Sequence, residues 1–205
     1  MTVVAALRTT DSVLMGADSA LSTNNNTCQR LLAHPKVFQV GGYVFGVSGN
    51  PLFAQMLQFG FAPPQRPDEM PWLEFMMVNF LPAVERRCVQ LKNSQILIGT
   101  EAREIFRLGE DGCVVQVKDD YTAIGSGADF ALGSFHSTAG LEPRQRLMKA
   151  LEAAAYLDPY VRPPFTVLEL AGDDLIKTLL TEEFDRETLL AGDPDDHGYA
   201  DEPPA

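Results

Sequence analysis

The stretch MTVVAALRTTDSVLMGAD, residues 1–18, begins the chain with two apolar, β-rich segments separated by the polar break RTTD. Thr2–Leu7 and Ser12–Asp18 have the length and composition of strands, and the short polar connection predicts an antiparallel hairpin. The end of the second strand then lies beside the start of the first, so Asp18 is expected close to Thr2. A buried carboxylate there needs a cation, and we identify Lys36, at the start of a later strand, as that cation.

Thr2 directly follows Met1, and methionine aminopeptidases remove the initiator when the next residue is small, so we expect Met1 to be removed. An α-amine titrates at about 7.7 to 8.0, close to the pH at which a general base works best. A terminal threonine therefore carries its own nucleophile and base. Taken singly, Asp18 could be a turn residue and Lys36 a solvated edge-strand lysine. The three residues together favour a site.

The rest of the chain alternates blocks of strands with pairs of helices. KVFQV and YVFGVSG form a strand pair joined by Gly41 and Gly42, and Pro82 should kink the second of the two helices that follow. About four strands, two more helices and a final strand complete the series. This order does not suit a doubly wound parallel sheet. We predict an α+β fold, an αββα sandwich of two antiparallel sheets flanked by helices, forming one domain over residues 1–190 with an acidic, disordered tail at 191–205.

Composition excludes several classes of function. The 205 residues are 45% hydrophobic and carry a formal net charge of −12 without a Lys/Arg cluster, which argues against nucleic acid as a partner. No apolar run approaches the roughly 18 residues of a membrane span, and no signal-peptide pattern is present, so we expect a cytoplasmic protein with no membrane partner. The three cysteines and three histidines lack ligand spacing, so we expect no metal and interpret the cysteines as buried thiols.

Four spaced motifs, TVVAALRTTDSVLMGADSALST, HPKVFQV, YVFGVSGN and YTAIGSGADFALG, resemble the proteasome β-subunit family, and in particular its compact bacterial members of HslV type. The resemblance runs from Thr2 to about Leu180. It implies an N-terminal nucleophile hydrolase with a polypeptide substrate and no cofactor. It also implies a homo-oligomer of stacked rings with six or seven subunits each, and an ATP-dependent unfoldase as partner.

The resemblance also implies roles for individual residues. Thr2 matches the nucleophile, Asp18 the acid, and Lys36 the lysine that lowers the pKa of the threonine's hydroxyl and amine. Ser126 matches the serine near the threonine amine, and Asp158 a further acid that hydrogen-bonds that serine.

For the substrate, Gly49 matches the glycine whose N–H donates to the oxyanion, although a one-residue gap leaves Asn50 as an alternative. Substrate would lie along Ser22 by strand-like pairing. We predict that the wall of the specificity pocket is formed by Leu21, Phe38 and Ser48.

The chain departs from the family pattern at three points. Two extra residues separate Asp18 from Lys36, Ala20 replaces an arginine, and Val161 stands where a serine is expected after Asp158. These differences bear on the pairing with Asp158 and on substrate preference. The GSG around Ser126 could then be a plain strand-to-helix turn.

The function predicted from the sequence is a threonine endopeptidase that cleaves peptide bonds through an acyl-enzyme on Thr2. Two alternatives stay open: a catalytically inactive proteasome-like ring scaffold, and an N-terminal nucleophile amidohydrolase that acts on small amides.

Overall fold

The computed structural model describes residues 1–22, 29–31, 34–87, 93–172 and 175–182. Within these ranges, no helix is long and apolar enough to cross a membrane. The predicted tail, Cys28 and Cys88 lie outside the described residues.

The strands, in chain order, are β1 (Val4–Arg8), β2 (Ser12–Ala17), β3 (Ala20–Ser22), β4 (Gln29–Leu31), β5 (Val37–Val40), β6 (Tyr43–Ser48), β7 (Gln95–Thr100), β8 (Ile105–Leu108), β9 (Val114–Gln116), β10 (Tyr121–Ile124), β11 (Phe165–Ala171) and β12 (Leu175–Glu182). One five-stranded sheet has the order β10-β1-β2-β11-β12, and a second has the order β5-β6-β7-β8-β9. β3 and β4 form a separate pair. All of these pairings are antiparallel.

The helices are α1 (Pro51–Gly60), α2 (Trp72–Phe75), α3 (Leu81–Arg87), α4 (Ala128–Ser137) and α5 (Pro143–Leu157). Side chains of α4 and α5 share one apolar core with the first sheet, and side chains of α1, α2 and α3 share another with the second sheet. A third core lies between the two sheets. The layers therefore run helix, sheet, sheet, helix, which confirms the predicted αββα sandwich of α+β class.

The opening hairpin shows how the sequence specifies this layering. Val4 pairs with Ala17 and Arg8 with Val13, so the predicted β1–β2 hairpin is confirmed. Val3 and Ala5 pack beneath the helices, whereas Val4 packs between the sheets. Because successive side chains of a strand point to opposite faces, a strand covered on both faces is apolar throughout.

The kink expected at Pro82 takes the form of one π-helical turn, Met76–Phe80, between α2 and α3. Proline has no N–H to donate, and its ring crowds the carbonyl four residues earlier, at Val78. The wider π turn opens the helix at that point.

Two further predictions concern the turn at Gly41 and the thiol of Cys113. Gly41 has φ of +58° in the turn between β5 and β6, as expected for a tight turn. Cys113 is exposed, so the interpretation of this cysteine as a buried thiol is wrong. It lies beside the exposed Asp111, directly before β9, the edge strand of the second sheet.

Candidate active site

Thr2, Asp18 and Lys36 meet at one end of the two sheets. Thr2 precedes β1, Asp18 follows β2, and Lys36 precedes β5, so the first two residues come from the first sheet and the third from the second. The hairpin register is extended by a hydrogen bond from the Val3 N–H to Asp18 Oδ1 at 3.1 Å. All three residues are buried: 2% of the surface of Thr2 is exposed, 1% of that of Asp18 and 9% of that of Lys36.

A hydrogen-bonded cluster joins the three side chains. The Lys36 ammonium donates to Asp18 Oδ1 at 2.8 Å and also to the Thr2 hydroxyl, which in turn donates to Asp18 Oδ1. The other oxygen, Asp18 Oδ2, accepts from the Ala20 N–H at 3.0 Å. The buried carboxylate therefore has a cation and several donors, which a buried charge requires.

Burial lowers the pKa of Lys36 from its usual value of 10.5. Asp18, and more weakly Asp158, oppose this change because a nearby negative charge favours the ammonium form. A lower pKa makes the neutral amine more accessible at a working pH, and a neutral amine in contact with a hydroxyl can accept its proton. The arrangement can therefore activate the Thr2 oxygen as a nucleophile.

The loop after β6 contains the candidate oxyanion donor. The Asn50 N–H donates to Ser94 Oγ at 3.2 Å, and the Asn50 side chain accepts from the Leu52 N–H at 2.9 Å as the N-cap of α1. Asn50 is thus engaged twice, whereas the Gly49 N–H has no hydrogen-bond partner among the described residues. Gly49 has φ of +118°, a conformation that glycine adopts readily. This geometry favours Gly49 over Asn50 as the donor.

Ser126 lies against the backbone of Thr2, in the turn between β10 and α4. Its hydroxyl accepts from the Thr2 N–H at 3.2 Å and lies 3.3 Å from the Thr2 carbonyl oxygen. The Gly127 N–H donates to the same carbonyl oxygen at 3.2 Å. The GSG turn therefore holds the start of the chain, which a plain connecting turn would not require.

Asp158 ends α5 and does not hydrogen-bond Ser126 in the part of the chain described. Its Oδ1 accepts from the Tyr160 N–H at 2.9 Å, while its buried Oδ2 has no hydrogen-bond partner there. Val161, at the position of the expected serine, is buried in the apolar core beneath the helices. The Asp158 charge therefore favours the ammonium form of Lys36, while a hydrogen bond between Asp158 and Ser126 is absent from the described residues.

A cavity of about 430 Å³ opens beside the cluster. Thr2, Lys36 and Gly49 line it, together with Leu21 as predicted. Further lining residues that the sequence analysis did not identify include His34, Val47 and Ala54. Val47 could have been identified from the sequence, because it lies two residues before Gly49, and residues two apart along a strand point to the same side.

Two other predicted wall residues lie elsewhere. Phe38 packs in the core beneath α1 to α3, stacked on Phe45. It shares this core with Val47, which lines the cavity, but lies two residues beyond Lys36 along the chain. Ser48 lines a second cavity on the other side of Gly49. Neither residue therefore lines the first cavity, and their assignment to the specificity pocket stays a prediction. Ser22 lies in β3, which pairs with β4 through Gln29, and its role stays a prediction.

Groups of three or more His, Cys, Asp or Glu side chains arranged to hold a metal ion are absent from the described part of the chain. At this site the Lys36 amine and the Asp18 carboxylate are in direct contact, and the Thr2 hydroxyl hydrogen-bonds both.

Comparison with known proteins points to one group. No protein-family model matches the chain. A stretch of 78 residues, 37% of this chain, is 36% identical to the ATP-dependent protease subunit HslV of Caldicellulosiruptor saccharolyticus. That match covers 44% of the relative, so the chain spans less than half the length of the curated protein it matches.

Solved structures share the fold over most of the chain. Thiobacillus denitrificans BPH, in complex with epoxomicin, has a TM-score of 0.68 at 19% identity, covering 83% of this chain and 99% of that one. HslV from Trypanosoma brucei has a TM-score of 0.59 at 17% identity, with 82% and 99% covered. Over 78 residues the chain is therefore similar in sequence to an HslV subunit, and over most of its length it shares the fold of the solved BPH and HslV structures.

Proposed function

We propose that the chain is a threonine endopeptidase, in which loss of Met1 frees Thr2 as the N-terminal nucleophile of a self-compartmentalising, proteasome-like particle. One observation carries this proposal: the Thr2 hydroxyl is in contact with the Lys36 amine, while the Thr2 nitrogen lies 3.2 Å from Ser126 Oγ. A threonine whose only role was to begin a strand would need neither partner.

Removal of Met1 completes the site. Met1 is 48% exposed, whereas Thr2 is 2% exposed, so the bond between them lies where the buried site meets solvent. Once Met1 is removed, the Thr2 nitrogen becomes an α-amine whose pKa is about 7.7 to 8.0 when unperturbed. The Ser126 hydroxyl would then orient this amine beside the nucleophile.

The reaction would proceed in two steps. The Thr2 oxygen attacks the carbonyl carbon of the substrate peptide bond, and its proton passes to the Thr2 amine or to Lys36. The C–N bond breaks, the departing nitrogen takes up that proton, and the acyl group remains as an ester on Thr2. Water then attacks the ester, releases the carboxylic acid and restores the hydroxyl.

Gly49 would stabilise the negative charge that develops on the carbonyl oxygen. Its N–H has no protein partner in the described region and lies in the lining of the cavity that Thr2 also lines. A preorganised donor of this kind contributes about 2.7 to 4 kcal/mol to such reactions.

The relationship to HslV supports a homo-oligomeric assembly of stacked rings, with six or seven subunits in each ring, and an ATP-dependent unfoldase as partner in the cytoplasm. Large apolar side chains on the outer helices agree with burial between subunits, since Phe59 on α1 is 68% exposed and Val78 between α2 and α3 is 61% exposed. A large particle in light scattering would support this part of the proposal, and a monomer would contradict it.

The decisive experiment is the intact mass of the purified protein before and after treatment with epoxomicin or a vinyl sulfone. We expect Met1 to be absent and one probe to add to Thr2. Thr2→Ala should abolish peptidase activity and labelling while the fold and assembly persist, and Thr2→Ser, which keeps a hydroxyl, is the matched control. Retention of Met1 with no labelling would instead favour a ring scaffold. Activity on small amides without peptide cleavage would favour an amidohydrolase.

A further inference from the structure

A second cavity, of about 300 Å³, lies beside the candidate active site. Gly125 and Ser126 line it from the turn that holds Thr2, and Gly49 and Asn93 line both this cavity and the first one. The candidate oxyanion donor is therefore at the boundary between two separate spaces.

We propose that the second cavity binds the part of the substrate on the leaving side of the cleaved bond, and that Glu110 selects peptides with a cationic side chain there. This inference rests on the proposed function of Thr2. A carbonyl carbon under attack has peptide chain on both sides, and the two parts must extend in different directions from the oxyanion donor. The first cavity is open to Thr2 and Lys36 and takes the acyl part, which leaves the second for the departing part.

The two cavities differ in their ionisable groups, and the cation of the first, Lys36, is already paired with Asp18. Glu110 is the only ionisable residue lining the second cavity within the described residues, and it is exposed to solvent. The first cavity has Lys36 and His34 and no acidic residue in its described lining. A substrate with positive charge on its leaving side therefore meets an attractive field there.

The Glu110 carboxylate is oriented for this role. Its Oε2 accepts from the Asn93 N–H at 2.8 Å, which fixes the side chain in the cavity wall. No residue in the described part of the chain donates to its Oε1. One oxygen thus positions the carboxylate and the other is left for a ligand, and a carboxylate oxygen binds Lys or Arg side chains well.

Apart from Glu110, the described lining of the second cavity is uncharged and consists of Ser48, Gly49, Asn93, Ser94, Gln95, Gly125 and Ser126. A Cβ at Gly49 would lie 2.0 Å from the Asn93 carbonyl oxygen, so the backbone segments are already in close contact. The Ser126 hydroxyl is engaged with the Thr2 backbone. Charge selection in this cavity therefore depends on Glu110.

The test uses internally quenched peptides that differ only in the residue after the cleaved bond, with Lys, Gln or Glu at that position. An exposed ion pair contributes up to about 1 kcal/mol, so we expect kcat/KM about 5-fold higher for Lys than for Gln. The preference should fall with added salt, because exposed charges are screened. Glu110→Gln, whose amide oxygen can still accept from Asn93, should abolish it. Asp111→Asn, at the neighbouring acid outside this cavity, is the matched control and should retain it.

A coumarin amide with the same acyl part, but no leaving peptide, separates this inference from the proposed function. Wild type and Glu110→Gln should cleave it at equal rates. If Thr2 is labelled and the coumarin amide is cleaved, but wild type shows no preference for Lys or Glu110→Gln retains one, the inference is refuted and the proposed function stands. If Thr2 is not labelled and no peptide is cleaved, both fail.

Discussion

Replacement of Gly125 by alanine should abolish the proposed peptidase activity without removing any polar group of the site. Gly125 has φ of +95° and lies directly against Thr2. An added Cβ would lie 2.3 Å from the Thr2 carbonyl oxygen and 2.9 Å from Thr2 Cγ2, whereas ordinary contact begins at 3.4 Å. Either Thr2 or the turn must therefore move by about 1 Å, and misplacement of that size costs about 100-fold in rate.

The same substitution has a calculable effect on stability. Alanine at a positive φ is strained by about 1 to 3 kcal/mol, so the free energy of unfolding should fall by that amount. Since domains of this size are stable by about 5 to 15 kcal/mol, the variant should still fold. We expect kcat/KM for a fluorogenic peptide to fall at least about 100-fold, while urea denaturation still shows a cooperative transition.

Gly133→Ala, on the exposed side of α4, is the matched control for Gly125→Ala. Apart from the backbone of α4 itself, no atom of the described residues lies within 4 Å of a Cβ built there. Alanine in a helix interior is favoured over glycine by about 1 kcal/mol, so this variant should be slightly more stable and fully active. A folded Gly125→Ala variant with wild-type kcat/KM would refute the argument that backbone contact with Thr2 sets the geometry of the nucleophile.

Two further predictions concern ionisable groups. Lys36→Met should reduce peptidase activity at least about 100-fold, as loss of a base does. It should also lower the free energy of unfolding, measured by urea denaturation, by about 3 to 5 kcal/mol, because Asp18 loses its buried partner. Unchanged activity would exclude a catalytic role for Lys36. Burial and the nearby Glu101 raise the pKa of Tyr43 to about 12. The folded chain then holds a proton that the unfolded chain loses above pH of about 10, so stability should decline between those values, and Tyr43→Phe should remove that part of the decline.

Much of the site could be predicted from the sequence because the contacts involved are local. Thr2 and Asp18 come together through a hairpin whose register depends on alternation and on one short turn. The contact with Lys36 crosses between the two sheets, yet it was predictable because a buried carboxylate requires a cation and few were available. Each of these steps uses a rule that applies to neighbouring strands or to a single charge.

The site predictions that the structure changed or narrowed concern residues whose position depends on distant parts of the chain. Phe38 lies in the same core as Val47, and only the assembled structure decides how far along β5 the first cavity reaches. The choice between Gly49 and Asn50 depends on Ser94, which engages the Asn50 N–H from another segment. Ser126 is engaged by the Thr2 backbone, and Asp158 by the Tyr160 N–H, a partner that the sequence did not indicate.

The sequence by itself determined most of the strands and helices, the sandwich class and the residues of the Thr2, Asp18 and Lys36 cluster, because periodicity, turn chemistry and the need to neutralise a buried charge are properties of short stretches. Only the tertiary structure decided which N–H stays available beside Thr2, which side chains line each cavity, and that Glu110 reaches the second one. Those features depend on segments such as residues 48–50, 93–95 and 125–126 coming together, and nothing in any one segment specifies its distance from the others.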